Sequence, residues 1–375
     1  MATIPLEIIT NGILPRLPAK SLMRFKCVSK PWLALISSHE FIHLHLHYSL
    51  SSITNHLLIL TENDCSLFSS NLELPECPAI KLPNFGIKPS VVGSCNGLLC
   101  IQSHRPYSLF LLNPSTGSYR ELSTLLPPRR YAALNFGFGY DSENDDYKVV
   151  RIVDRLASRG FLGHQVDRIV QVYSSRANSW EMIEWSPPRD AMGDRENGAL
   201  LNNNLLHWKF WRPQEGYHIR CFNLCEKRWT SDLPFPDYIK GIRDGILDFG
   251  VFDGSLYFSS KNQQEPAVDI WIMKEYGVTE SWVKLFQISD SRVVRSSRVS
   301  PIAYCRLKNK VLLRTTNKSE HSILWYDIKG EAAECAKING VADCLWIDVC
   351  KGSLVDIPSG SQIRNTKQND EKEAI

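Results

Sequence analysis

The sequence predicts a mainly β protein with a small α-helical unit at its N-terminal end, the β part being a kelch-like propeller of about six blades. Three observations carry this reading. Apolar residues follow helical spacing from Pro5 to about His47. Beyond Asn55 the pattern changes to short runs rich in β-branched and aromatic residues, such as HLLILT, YKVVRIV, SLYFSS and VDIWIM, separated by turn residues. The turns are also phased. Asn96-Gly97, Asp145-Asp146, Asn202-Asn203-Asn204, Asp253-Gly254 and Lys308-Asn309 recur about every 50 residues, the period of a four-stranded kelch-type blade.

An aromatic residue keeps step with the turns. Tyr119, Trp180, Trp229 and Trp282 each close a strand-turn-strand unit, and Ala333 takes that place in the last unit. The phase makes the three tryptophans blade-packing residues rather than ligand stackers. Each unit supplies two hairpins and cannot cover both of its own faces, so radial stacking supplies the cover. The unit around Asp146 carries an insertion near Arg155 to Val166. Two fragments, HLLILTENDCSLFSS and CLWIDVCKGSLVDI, flank the array. Pairing them across the chain's ends closes the ring and removes exposed strand edges. A large β-sandwich is the alternative.

Composition narrows the class. Across 375 residues, 43% are apolar and 10% aromatic, which suits a folded domain, and the net charge of +3 favours neither a nucleic-acid polycation nor an acidic tail. No apolar run approaches the ~20 residues of a membrane helix. Met1 to Leu6 lack the pattern of a secretory signal. The eleven cysteines are odd in number and form no CxxC, so they read as reduced thiols in the cytoplasm and/or nucleus. Residues 358–375 are polar with no apolar face and read as a disordered tail.

Within the helical segment, Glu7 to Leu17 suggest a first helix and Ala19 to Val28 a second. Ser29 is placed to cap a third, with Pro31 tolerated in its first turn. A unit of this size seldom builds a sufficient core alone. Its spare apolar surface either packs on the β domain or docks into another protein.

At this point the residues match a pattern. IPLEIITNGILPRLPAKSLMRFKCVSKPWLALISSHEFIHLHL resembles a plant F-box, with its Pro-x-Glu opening, its Leu-Pro centre and its Lys-Ser-Leu-x-Arg-Phe-x-Cys-Val-Ser-Lys-x-Trp run. SCNGLLCI, NPSTGSYREL, FGFGYDSENDDYKVVRI and DIWIMKEYGVTESWVKLF resemble the F-box-associated propeller of the same proteins. Among these the chain looks like the defence-signalling regulators of the "constitutive expresser of pathogenesis-related genes" type, with pollen S-locus F-box proteins as relatives. The resemblance implies an F-box over residues 1–47, a substrate-recognising propeller over 48–357 and the polar tail beyond. It implies a substrate receptor of an SCF-type ubiquitin ligase. Such a receptor is joined to a Skp-type adaptor and through it to cullin and RING subunits, with immune receptors suggested as substrate. Carried onto this chain, the adaptor-facing residues are Pro5, Ile9, Leu14, Leu17, Pro18, Leu22, Val28 and Trp32. The chain departs from the pattern by one extra residue between Pro5 and Pro18, and it carries Gly12 and Pro15. Both disfavour a continuous helix, so the first helix is expected to kink or end near Gly12.

No residue set reads as catalytic, metal-binding or cofactor-binding, because a ligase of this type keeps its reactive thiol on another protein. His39, His43, His45 and His47 lack the acidic partner of a zinc site and read as packed or solvated. Asp141 to Asp146 read as a hairpin turn rather than a calcium loop. For substrate contact the candidates are Trp211 and Tyr217, in FWRPQEGYH, and Arg295, from the cluster Arg292, Arg295 and Arg298. Two alternatives are a propeller enzyme acting on sugars or metabolites, which needs convergent carboxylates at the channel, and a non-degradative scaffold.

Overall fold

A computed structural model describes residues 5, 7–51, 56–62, 66–72, 79–85, 89–104, 107–123, 131–156, 166–183, 192–193, 197–202, 204–212, 215–236, 245–262, 264–305, 309–317, 320–339, 341 and 344–357. The expected polar tail and most of the insertion after Arg155 lie outside them. The described residues form six antiparallel sheets. Blade 1 joins the last strand to the first three, in the order β26 (Cys344–Lys351), β1 (His56–Glu62), β2 (Leu67–Asn71) and β3 (Ile80–Lys81). Blade 2 is β4 (Ser90–Cys95), β5 (Leu98–His104), β6 (Tyr107–Leu112) and β7 (Tyr119–Glu121). Blade 3 is β8 (Tyr131–Asp141), β9 (Asp146–Leu156), β10 (Val166–Ser174) and β11 (Ser179–Ile183). Blade 4 is built on β14 (Leu205–Arg212) and β15 (Gly216–Asn223), with β12 (Met192–Gly193), β13 (Ala199–Leu201), β16 (Arg228–Trp229) and β17 (Leu233–Pro234) at its sides. Blade 5 runs through β18 (Ile246–Phe252), β19 (Ser255–Lys261), β20 (Val268–Met273) and β21 (Trp282–Ile288). Blade 6 is β22 (Arg298–Cys305), β23 (Lys310–Asn317), β24 (Glu320–Asp327) and β25 (Ala332–Cys335).

The blades close a ring. β4 lies against β8, β13 against β8 and β18, β18 against β22, and β26 against both β22 and β4. Six separate apolar clusters result, one between each neighbouring pair of blades. The two end fragments pair as expected, with Leu57 opposite Cys350 and Ile59 opposite Asp348. The phased turns are the first hairpin of each of blades 2 to 6, and Asn96, Asp145, Asn202, Asp253 and Asn309 all have positive φ there. Asn and Asp tolerate this left-handed backbone better than most residues. Trp180, Trp229 and Trp282 fall at the outer strands β11, β16 and β21. Trp229 and Trp282 are buried in inter-blade clusters and Trp180 packs beside Tyr173.

The DSENDD segment is the β8–β9 turn. Asp141 accepts from the backbone N–H groups of Glu143 (3.0 Å) and Asn144 (3.1 Å) and pairs with the ammonium of Lys148. Lys148 also donates to the carbonyl of Leu224 in blade 4, at 3.0 Å. The motif is therefore a staple between blades as well as a turn. Hydrogen bonds from Lys148 and Asn144 outweigh the cost of burial and hold the Asp141 carboxyl well below the usual carboxylate range.

The helical segment differs from a plain three-helix unit. It begins with a π-helical turn, Ile8–Ile13, and a 3-10 turn, Leu14–Arg16. Then come α1 (Ala19–Phe25), α2 (Lys30–Ile36) and α3 (His39–Ser51), which runs past residue 47. The π turn is where the extra residue goes. Leu14 N–H reaches back to the Ile9 carbonyl, one residue further than an α-helix allows, so an inserted residue is absorbed without breaking the helix. Pro15 then opens the 3-10 turn, where a missing N–H costs least. Ser29 caps α2 as expected, its Oγ accepting from Trp32 N–H at 3.3 Å, and Pro31 lies in the first turn.

Truncating the inter-blade staple tests its role. Lys148→Met leaves Asp141 buried without its cation and is expected to cost roughly 3–5 kcal/mol in urea unfolding, with Asp141→Asn/Lys148→Met recovering a substantial part. A loss under about 1 kcal/mol means that solvent reaches the pair.

Candidate interaction sites

The helices share one small core of Leu14, Ala19, Leu22, Ile36, Phe41 and Ile42, and one residue from the far end of the chain completes it. Leu354, 1% exposed, inserts among them. The segment just after β26 is therefore a strap gripped from both sides. Ser49 at the end of α3 donates to the carbonyl of Gly352. Asn113 Nδ2 of blade 2 donates to the carbonyls of Ser353 (3.1 Å) and Val355 (2.8 Å). Gly97, with φ +80°, lies under the strap, and a Cβ there would meet Ser353 Oγ at 2.3 Å.

Placement of the expected adaptor residues divides them. Leu14 and Leu22, expected to face a partner, are 2% and 0% exposed and hold the bundle together instead. The i+3 and i+4 spacing that marks an apolar stripe does not say which side of a small bundle it faces. Pro5 and Pro18 are exposed, Ile9, Leu17 and Trp32 are half-buried, and Val28 is 64% exposed. Trp32 packs edge-on against Phe25 with centroids 5.4 Å apart. Sequence spacing missed Ile8 and Ile13, both exposed on the π turn, and Leu33, 47% exposed on α2. The one-residue excess before Pro18 was the available signal, because a π turn rotates the flanking side chains away from their α-helical faces.

Of the histidines, His45 is buried and hydrogen-bonds the Leu17 carbonyl through Nε2 at 3.1 Å. His43 Nε2 lies 3.0 Å from His39 Nε2, and His47 packs edge-on to Tyr48. Among the described residues no group of three His, Cys, Asp or Glu side chains could hold a metal ion.

The substrate candidates lie on the other rim. The first hairpin turns of blades 2, 3 and 4 face the helices: Asn96 and Asp145 line a cleft of about 620 Å³ beneath α3, and Asn202 lines a smaller space beside Leu50. Strand direction alternates along a blade, so second-to-third hairpins and inter-blade links fall on the opposite rim. Trp211 and Tyr217, at the β14–β15 hairpin, and Arg295, between β21 and β22, belong there. Tyr217 is 6% exposed and stacks edge-on to Trp211 at 4.8 Å, so this pair chiefly braces the hairpin. Arg292 is engaged by Asp290 (3.0 and 2.8 Å) and by the Ala333 carbonyl, whereas Arg295 is exposed.

Arg298 points elsewhere, into the central channel. Its Nε donates to Asp248 at 2.7 Å, and Tyr257 OH donates to the same carboxylate at 2.6 Å. Burial opposes the Asp248 charge, but Arg298, then Arg314, then the Ser300 and Tyr257 hydroxyls outweigh it and hold the carboxyl below its usual range. A general acid needs the reverse shift. The channel carboxylates Asp248 and Asp348 are each set against an arginine, with Arg314 Nη1 at 3.9 Å from Asp348. Cys95, Cys100, Cys221, Cys305 and Cys350 are buried thiols in no disulfide, and burial with nearby Asp348 pushes the Cys350 thiol up to about 12, far from a nucleophile's range.

A small helical unit strapped to a ring of six sheets defines a β-propeller protein with an N-terminal helical segment. The chain belongs to the F-box proteins with an F-box associated beta propeller domain, a family that matches residues 47–363. It is similar to F-box protein CPR1 of Arabidopsis thaliana, with 34% identity over 399 residues that cover 100% of this chain and 94% of that one. F-box protein At4g22390 of the same plant is 30% identical over 394 residues, covering 99% and 95%. F-box/kelch-repeat protein At3g23880, also of Arabidopsis thaliana, is 29% identical over 306 residues, covering 76% and 79%. No helix among the described residues is long and apolar enough to cross a membrane.

His45 gives the helical unit a pH dependence. Burial lowers its pKa, only partly offset by the Leu17 carbonyl, so the folded state holds it neutral. Its contribution is complete above the ordinary histidine value of about 6.5 and is lost as pH falls below it. His207, held at about 4 by burial, acts in the same sense, so the readout is a difference. Thermal unfolding between pH 7.5 and 5 is expected to drop less for His45→Gln than for wild type; equal drops would place the sensitivity elsewhere.

Proposed function

We propose that this chain is the substrate-recognition subunit of an SCF-type ubiquitin ligase. The F-box docks on a Skp-type adaptor, which links it to cullin and RING subunits, and the propeller holds a protein substrate for ubiquitination and degradation. The observation that carries the reading is the uncovered apolar surface of the helical unit. Ile8, Ile13, Val28 and Leu33 stay exposed although the unit is strapped to its own propeller through Leu354. With Pro5, Pro18 and the half-buried Ile9, Leu17 and Trp32, they supply the large apolar anchors that dominate protein interfaces. Reduced buried thiols fit work in the cytoplasm or nucleus. Regulation of plant defence, with an immune receptor as substrate, is the finer reading and rests on similarity to the full-length relative CPR1.

Capture by a purified Skp-type adaptor tests this. Wild type should bind, and Val28→Asp/Leu33→Asp, which alters only exposed positions, should weaken binding at least about tenfold with an unchanged melting temperature. Trp32→Ala/Leu17→Ala should do the same with some loss of stability, because both side chains also pack on the bundle. Failure of the wild type to bind removes the receptor reading.

A further inference from the structure

α3 carries histidines at 39, 43 and 47, and all three are exposed. The four-residue spacing puts them on one face of the helix. The opposite side of α3 holds that face outward. Ile42 is buried in the bundle core, His45 hydrogen-bonds the Leu17 carbonyl, and Ser49 donates to the Gly352 carbonyl of the strap. The first turn is fixed as well, because Ser38 Oγ accepts from Phe41 N–H at 3.2 Å.

His39 and His43 are brought together by more than spacing. Their Nε2 atoms lie 3.0 Å apart, with ring centroids at 4.2 Å and ring planes at 46°. Two zinc–imidazole bonds of about 2.0–2.1 Å, meeting at about 90–110°, put their nitrogens about 2.9–3.4 Å apart. The pair therefore already has the bite of a two-point chelate. His47 stands a turn further on, with its ring edge-on to Tyr48 at 5.8 Å.

The surroundings accept a cation. Both histidines line the cleft beneath α3, and so do the exposed carboxylates of Asp145 and Asp356. Tyr140 OH donates to Asp145 at 2.6 Å. Against the carboxylates stands Arg176, which donates to the Asn144 carbonyl at 2.9 Å. Two carboxylates and one guanidinium leave the fixed charge of the cleft negative while its imidazoles are neutral. The buried Oδ1 of Asn96, which also lines the cleft, has no hydrogen-bond partner among the described residues, so the cleft offers an acceptor to a metal-bound water.

We propose that His39 and His43 form a two-point chelate for a divalent transition ion of the zinc or nickel class, with water completing its coordination. Imidazole nitrogen suits these ions, whereas magnesium and calcium take oxygen ligands. With two protein ligands the site differs from a structural zinc centre of four, so the ion exchanges and the fold does not depend on it. The proposal is independent of the receptor reading.

Isothermal titration calorimetry with Ni²⁺ tests it, on untagged full-length protein whose accessible thiols, Cys27 and Cys335 among them, are alkylated first. Wild type should bind one ion that the double variant His39→Gln/His43→Gln does not. His39→Gln and His43→Gln singly should each weaken binding about tenfold or more, because each destroys the chelate. His47→Gln should leave it unchanged. All of these positions are exposed, so metal-free melting temperatures should match wild type. Equal Ni²⁺ binding by wild type and the double variant overturns the proposal and leaves the pair a hydrogen bond only. A loss with His47→Gln as large as with His43→Gln overturns it too, because the ion then belongs to the whole histidine stripe and not to this pair.

Discussion

The pairing of β26 with β1 is the interaction on which the rest depends. It joins strands from the two ends of the described β region into one blade, and without it blade 1 lacks its inner strand and the clusters on either side of it open. The same strand then delivers Gly352 to Val355 to the helical unit. Closure of the ring and seating of the F-box are thus one structural event. A pairing between strands this far apart in sequence carries a loop-closure cost, which the two inter-blade cores that it completes offset.

This coupling explains the burial pattern of the helices. A bundle so small cannot satisfy all of its apolar residues, and the strap contributes Leu354 and Val355 to one side of it only. Leu14, Leu22, Ile36 and Phe41 turn toward that side. Among the described residues, Ile8, Ile13, Val28 and Leu33 remain exposed. The strap also fixes the helices over one rim, which leaves the second-to-third hairpins and the inter-blade links on the other. A partner held by the F-box and a substrate held at the far rim would sit on opposite sides of the ring.

Much of the fold was legible because blades repeat their chemistry. Asn or Asp at a left-handed turn position in blades 2 to 6, and an aromatic at the outer strand in blades 2 to 5, recur for the same local reasons, so their phase survives in the sequence. Ring closure could be anticipated from two half-units that had no other partner. The helical unit was less legible. The excess residue near Gly12 was visible, but its outcome, a π turn rather than a break, depends on tertiary support. The spacing of Leu14 and Leu22 marked an apolar stripe without saying that it faced inward. Asp248, Arg298 and Arg314 belong to different strands, and their meeting in the channel follows from ring geometry that no local pattern encodes. Arg295 and Arg298 looked alike in one cluster, yet strand start and loop send one inward and leave the other in solvent.

The central claim is that the helical unit presents an apolar surface that its own propeller leaves open and an adaptor covers. Amide hydrogen exchange of the full chain, with and without a purified Skp-type adaptor, tests it most directly. The account predicts that the adaptor slows exchange over residues 8–36 and leaves the channel-lining strands β18 and β22 unchanged. Full protection of residues 8–36 in the free chain, or adaptor-induced protection confined to the propeller, would contradict it.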